Sequence, residues 1–186
     1  MRRAVWLLVA LAWACGQSAP PEVFWPLPEF ALVDQEGKPF GRGDLEGRAW
    51  VASFIFTRCR STCPLQTAQM ARLQQRLHEE GKQVLLVSIS VDPEHDTPQV
   101  LQEYAQRWGA DPGRWRFLTG PREAIWRLSR DGFRLGVGDD PGFAEMPIFH
   151  STKVALVDGQ GRVRGYYDGI SEEGTAELLR AMEQVR

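Results

Sequence analysis

Trp50-Val-Ala-Ser-Phe-Ile-Phe56-Thr-Arg-Cys59-Arg-Ser-Thr-Cys63-Pro64 joins a mostly apolar run to two cysteines and then to a helical pattern. A run of this length and composition, bounded by turn residues, fits a central strand buried on both faces. Beyond it Leu65, Ala68, Met70, Leu73 and Leu77 recur with helical spacing until Gly81 ends the segment. The junction between the two elements carries the thiols. With Cys63 to Leu77 helical, four residues at about 1.5 Å rise put Cys63 roughly one turn beyond Cys59, both sulfurs on one face. Such a pair can close a disulfide or grip a soft metal ion, and the spacing suits both.

Working outward, Val84 to Val91 reads as a second buried strand and Trp115-Arg-Phe-Leu118 as a third. Between them, Asp92-Pro-Glu-His-Asp-Thr-Pro98 must be a loop, because Pro93 and Pro98 exclude regular pairing; Thr97-Pro98 then opens a helix to about Trp108. Pro121 to Arg130 reads as a helix, and Phe133 to Val137 as an edge segment. Phe30-Ala-Leu-Val33 and Pro39-Phe40 flank the turn Asp34-Gln-Glu-Gly37, an N-terminal β-hairpin. Thr152 to Val157 and Arg162 to Tyr167 form a second hairpin about Asp158-Gly-Gln-Gly161, and Ser171 caps a final helix to Met182. The order predicts an α/β domain, a central mixed sheet flanked by helices. Reactive groups in such sheets gather beyond the carboxyl ends of the parallel strands. The loop beginning at Asp92 and the segment Met146-Pro-Ile-Phe-His150 should reach that edge.

The chain has 186 residues, 43% of them hydrophobic, enough for one well-buried domain and short for two. Met1-Arg2-Arg3 followed by apolar Ala4 to Ala14 reads as an export signal over 1–14, and small residues before Cys15 resemble a lipoprotein processing site. Residues 15–28 then form a lipidated cysteine and a proline-rich tether, and 29–186 the domain. Of 22 basic residues Arg2 and Arg3 leave with the signal, so 20 face 24 acidic ones, a net of −4 that offers no basic surface to nucleic acid. Export matters for the cysteines, since thiols outside the cytoplasm do not stay reduced unaided.

F-x-F-T-x-C-x-x-x-C-P at Phe54 to Pro64, V-D-P-x-x-D-T-P at Val91 to Pro98, and H-S-T before a strand ending L-V-D at His150 to Asp158 together resemble the SCO (SenC) family. The resemblance runs from Glu29 to Met182 in the same order. It implies a thioredoxin-like fold, tethering to the outer face of the cytoplasmic membrane, and a role in assembling the CuA centre of cytochrome c oxidase. By the same resemblance Cys59, Cys63 and His150 match copper ligands, and Asp92 matches an acidic residue beside the site. The implied partners are the oxidase subunit carrying CuA, other copper chaperones and thioredoxin-like reductants.

The donor chemistry agrees. Two thiolates and an imidazole make a soft set for Cu(I), and a weak oxygen or water could complete a Cu(II) site. Structural zinc prefers four protein ligands. A plain structural disulfide is the competing reading, although a loop this short would stabilise weakly. Two functions follow from one cysteine pair: a copper metallochaperone, or a thiol-disulfide reductase that keeps the CuA cysteines reduced. A peroxidatic role for Cys59 is the weakest reading. Arg58, Arg60 and the helix start should favour a thiolate, with Cys59 the more exposed sulfur. His150 alone would read as a core histidine. Asp92 is expected to orient His150 or a bound water rather than ligate, because a hard carboxylate suits Cu(I) poorly. His78 fits a solvent-facing helix position, a transient copper contact is the lesser reading of His95, and Met146 fits packing.

Overall fold

The computed structural model describes residues 22–142 and 148–185. Among the described residues ten strands and four α-helices follow one another: β1 (Trp25–Pro26), β2 (Ala31–Asp34), β3 (Pro39–Gly41), β4 (Trp50–Ile55), α1 (Cys63–Glu79), β5 (Leu85–Ser90), α2 (Pro98–Arg107), β6 (Trp115–Thr119), α3 (Arg122–Arg127), β7 (Val137–Asp139), β8 (Ile148–His150), β9 (Lys153–Val157), β10 (Arg162–Asp168) and α4 (Glu172–Met182). Eight strands form one sheet in the order β1-β10-β9-β4-β5-β6-β2-β3, and β7 pairs with β8 separately. Parallel pairing of β4 with β5 and of β5 with β6 sits in the middle, with antiparallel strands on either side.

Every residue of β4 and β5 is buried, which accounts for their continuous rather than alternating apolar patterns. Their polar exceptions pair inside: Ser53 Oγ lies 2.8 Å from Ser88 Oγ, which also accepts from Trp115 Nε1 at 2.9 Å. α1 begins at Cys63 with Pro64 in its first turn, where a missing N–H has no consequence, and Gly81 at φ +65° follows its end. The helix packs on α4 through Gln69 and Arg72, which meet Thr175 and Glu172. Asp158, the last residue of L-V-D, is buried in the β9–β10 turn and accepts from the Gln160 and Arg162 N–H groups and from both Arg162 and Arg164.

Three segments differ from expectation. Part of the expected tether lies on the domain: Trp25–Pro26 pairs with β10, Leu27 is buried, and Trp25 Nε1 donates to Gly132 O at 2.8 Å. α3 stops at Arg127 and the chain widens into a π-helical turn over Leu128–Gly132. The edge strand forms at Val137–Asp139 rather than at Phe133 to Val137, and its partner is the short strand that carries His150. Cys15, Met146 and the leader lie outside the described residues.

Candidate metal centre

Cys59 and Cys63 do not share a helix. α1 starts at Cys63 itself, and Cys59 sits in the preceding turn, its N–H donating to Phe56 O at 3.2 Å. The sulfurs meet because that turn folds back over the helix start. Thr62 occupies the capping position but makes no side-chain cap, so the first N–H groups need another acceptor. Hydrogen bonding by the Cys63 thiol and by the Cys63, Ser61 and Thr62 N–H groups holds the Cys59 thiol down to about 6 against the opposing effect of burial. Of the arginines expected to favour this thiolate, Arg58 is engaged by Asp92 at 2.6 Å.

Both cysteines are free thiols, Cys59 7% exposed and Cys63 wholly buried. Holding its proton toward Cys59, and lying in the interior, pushes the Cys63 thiol up. Its other neighbour is His150, whose Nε2 lies 3.0 Å from Cys63 Sγ. The His150 Nδ1 lies 3.0 Å from Ser151 O, a carbonyl that can only accept, so Nδ1 carries the proton and Nε2 presents a bare lone pair. Burial lowers the His150 pKa against the opposing effect of the Ser151 carbonyl, and Phe56 packs edge-on against the ring at 5.7 Å between centroids. The Cys63 proton thus faces two acceptors and can satisfy one. A soft cation in its place would satisfy both, so this donor set fits a thiophilic metal. Cys63 is the member that His150 touches; no group of three or more His, Cys, Asp and Glu side chains, these three included, converges on one point among the described residues.

Asp92 is buried at the C-terminal end of β5, but its carboxylate takes Arg58 Nε, and His150 is oriented by Ser151 instead. His95 lies beside the Thr57 hydroxyl at 3.4 Å and Asp96 at 2.9 Å, turned to the loop and not to the sulfurs. The residue overlooked in the sequence is Asp96. It is fully buried and accepts from Thr57 N (3.0 Å), the Thr57 hydroxyl (2.5 Å) and the Ser90 hydroxyl (2.5 Å), fastening the loop after β5 to the turn that bears Cys59. The second acid of D-P-x-x-D-T-P carried that signal, since a carboxylate between two prolines in a tight loop has backbone to bind.

Iodoacetamide should modify Cys59 first. The thiolate is the reactive form, so a thiol held near 6 reacts at lower pH: the rate should rise through about pH 6 and level off by about pH 8, where an ordinary thiol is still rising. Peptide mapping against pH reads this directly. Modification of Cys63 first, or a rise only above about pH 8, would contradict the assignment.

The family model for SCO1/SenC matches residues 26–185. Among solved structures, a SCO1/SenC family lipoprotein from Bacillus anthracis str. Ames superposes with TM-score 0.80 at 39% identity, over 87% of this chain and 95% of that one. BsSco, described as a member of the Sco family of cytochrome c oxidase assembly proteins with a disulfide switch, does so at 0.78 and 30% identity, over 88% and 94%. Bradyrhizobium japonicum ScoI with copper bound matches at 0.70 and 26%, over 84% and 99%. The three sequence motifs, the thioredoxin-like fold and the family match agree, and the chain belongs to the SCO1/SenC family.

Proposed function

We propose that the protein binds copper through Cys59, Cys63 and His150 and delivers it for assembly of the CuA centre of cytochrome c oxidase. The observation that carries this is the wholly buried Cys63 sulfur, 3.0 Å from a His150 Nε2 whose ring meets the Ser151 carbonyl on its other side, so that the Cys63 thiol proton is the one a metal would replace. Cu(I) entering there displaces that proton and takes two thiolates and an imidazole. Copper bound to the Bradyrhizobium japonicum relative and the oxidase-assembly role of BsSco support the reading. Asp92, bound to Arg58, acts outside the ligand set.

The unequal acidity of the two thiols favours a second reading, a thiol-disulfide reductase. Cys59 thiolate attacks a substrate disulfide and forms a mixed disulfide; Cys63, losing its proton, then attacks Cys59. The substrate leaves as a dithiol with two electrons gained, and a Cys59–Cys63 disulfide remains. The disulfide switch named for BsSco supports it. For location, no helix among the described residues is long and apolar enough to cross a membrane. We place the anchor at Cys15, as a lipid, in keeping with the Bacillus anthracis lipoprotein.

Titrating the reduced protein with Cu(I) against a competing chelator tests the first reading. One equivalent should bind and then pass to a CuA-domain acceptor. Reduction of an oxidised acceptor without any copper uptake would establish the reductase instead.

A further inference from the structure

His150 is held by a segment whose backbone is fixed at each residue. Val137 pairs with His150, Ser151 N–H donates to Gly136 O at 3.1 Å, and Thr152 O accepts from Gly169 N–H at 3.1 Å. A further bond reaches Thr152 O from the helix that begins with Cys63. Gln66, wholly buried one turn into α1, donates through Nε2 to Thr152 O at 3.2 Å. Cys63 and Gln66 are three residues apart and share a helix face, so one face of α1 presents a sulfur to His150 and an amide to the backbone two residues on.

The other end of that amide is unsatisfied: Gln66 Oε1 is buried with no hydrogen-bond partner among the described residues. The amide cannot be reversed to relieve it, because two carbonyl oxygens would then face each other. A buried orphan acceptor is unfavourable and needs a reason. Thr152 O does not need Gln66, since Gly169 already donates to it. The Gln66 side chain is therefore poorly explained as a stabilising contact and well explained as a link. The fit around it is close: a Cβ at Gly169 would collide with Thr152 O and lie 3.1 Å from Gln66 Nε2.

We infer that Gln66 is a positioning residue that braces the His150 segment against the helix bearing Cys63, setting the distance between His150 Nε2 and Cys63 Sγ. The inference rests on the copper reading above for its consequence, and on the geometry alone for the brace. With the brace in place His150 is presented to the metal; without it the segment keeps its strand pairing but drifts from the sulfur.

Gln66→Leu removes both polar atoms. Because it also removes the orphan acceptor, the melting temperature of the reduced full-length protein should stay the same or rise. Hydrogen exchange in metal-free protein should quicken over residues 148–153, and copper affinity should fall about tenfold, the lower end for loss of a partner outside the ligand set. In a His150→Ala background the same change should leave copper affinity unmoved. Gln66→Asn, one methylene too short to reach, should quicken exchange and lower copper affinity alike, with a lower melting temperature because its buried amide is left unpaired, and serves if the leucine variant folds poorly. A purely structural role predicts that melting temperature and affinity fall together, in both backgrounds, and that result would overturn the inference. Unchanged exchange over 148–153 overturns the brace whatever copper does. Quickened exchange in a protein whose copper affinity ignores His150→Ala would overturn the ligand reading, and with it the role assigned to Gln66.

Discussion

Cys63→Ser should lower Cu(I) affinity by more than about a hundredfold, beyond the range for losing a partner outside the ligand set, whereas His150→Ala should lower it by about tenfold. Cys63 is the shared member of both donor contacts, and it is wholly buried. A serine hydroxyl there is a hard donor that does not ionise near neutral pH, so both a ligand and a charge are lost. Removing the imidazole leaves the two thiolates, enough to hold Cu(I) but not to build the Cu(II) site, so His150→Ala should also change the Cu(II) absorption and magnetic resonance spectra. Cys59→Ser should resemble Cys63→Ser in affinity. Chelator competition measures all three. Indifference of both affinity and spectra to His150→Ala would remove the imidazole from the ligand set and favour the reductase.

Which parts of this were legible depended on whether a signal was local. The buried strands Trp50–Ile55 and Leu85–Ser90 announce themselves as apolar runs, and the hairpin ending at Asp168 as two short β-rich runs about a Gly-containing turn. The cysteine geometry was less legible, because a C-x-x-x-C spacing reads as one helical turn, while the sulfurs meet through a turn that ends where the helix starts. The strand carrying His150 was hidden for a similar reason. β7 and β8 are three residues each and rely on Gly138, where a Cβ would lie 2.6 Å from the Phe149 ring, to let that ring cover the ribbon. No periodicity exists over so short a length. Gln66 was missed because sequence shows that a residue is polar and not that it is buried, whereas Asp96 carried its signal in its place between two prolines.

Asp96→Ala should destabilise the domain by about 4 kcal/mol, since two donors facing it inside, Thr57 N–H and the Ser90 hydroxyl, would each lose a partner worth about 1–3 kcal/mol. At roughly 2–4 °C per kcal/mol for a chain of this size, the melting temperature should fall by about 10 °C. Ser90 Oγ also accepts from Asp92 N–H at 3.1 Å, so the loss would loosen the Asp92 end of the loop as well. Asp96→Asn should fall between, because one oxygen still meets the Thr57 hydroxyl while the new NH2 faces the Thr57 N–H and the Ser90 hydroxyl. The neighbouring Glu94, exposed and paired with Arg122 at 3.4 Å, should tolerate alanine within about 0.5 kcal/mol. Calorimetry on metal-free reduced protein separates the two acids, and an Asp96→Ala variant melting within about 3 °C of the parent would show that Thr57 and Ser90 find other partners. The contrast has a functional consequence. Cys59 follows Thr57 by two residues, so the carboxylate that fastens this turn governs where the more acidic sulfur lies, although it touches neither cysteine.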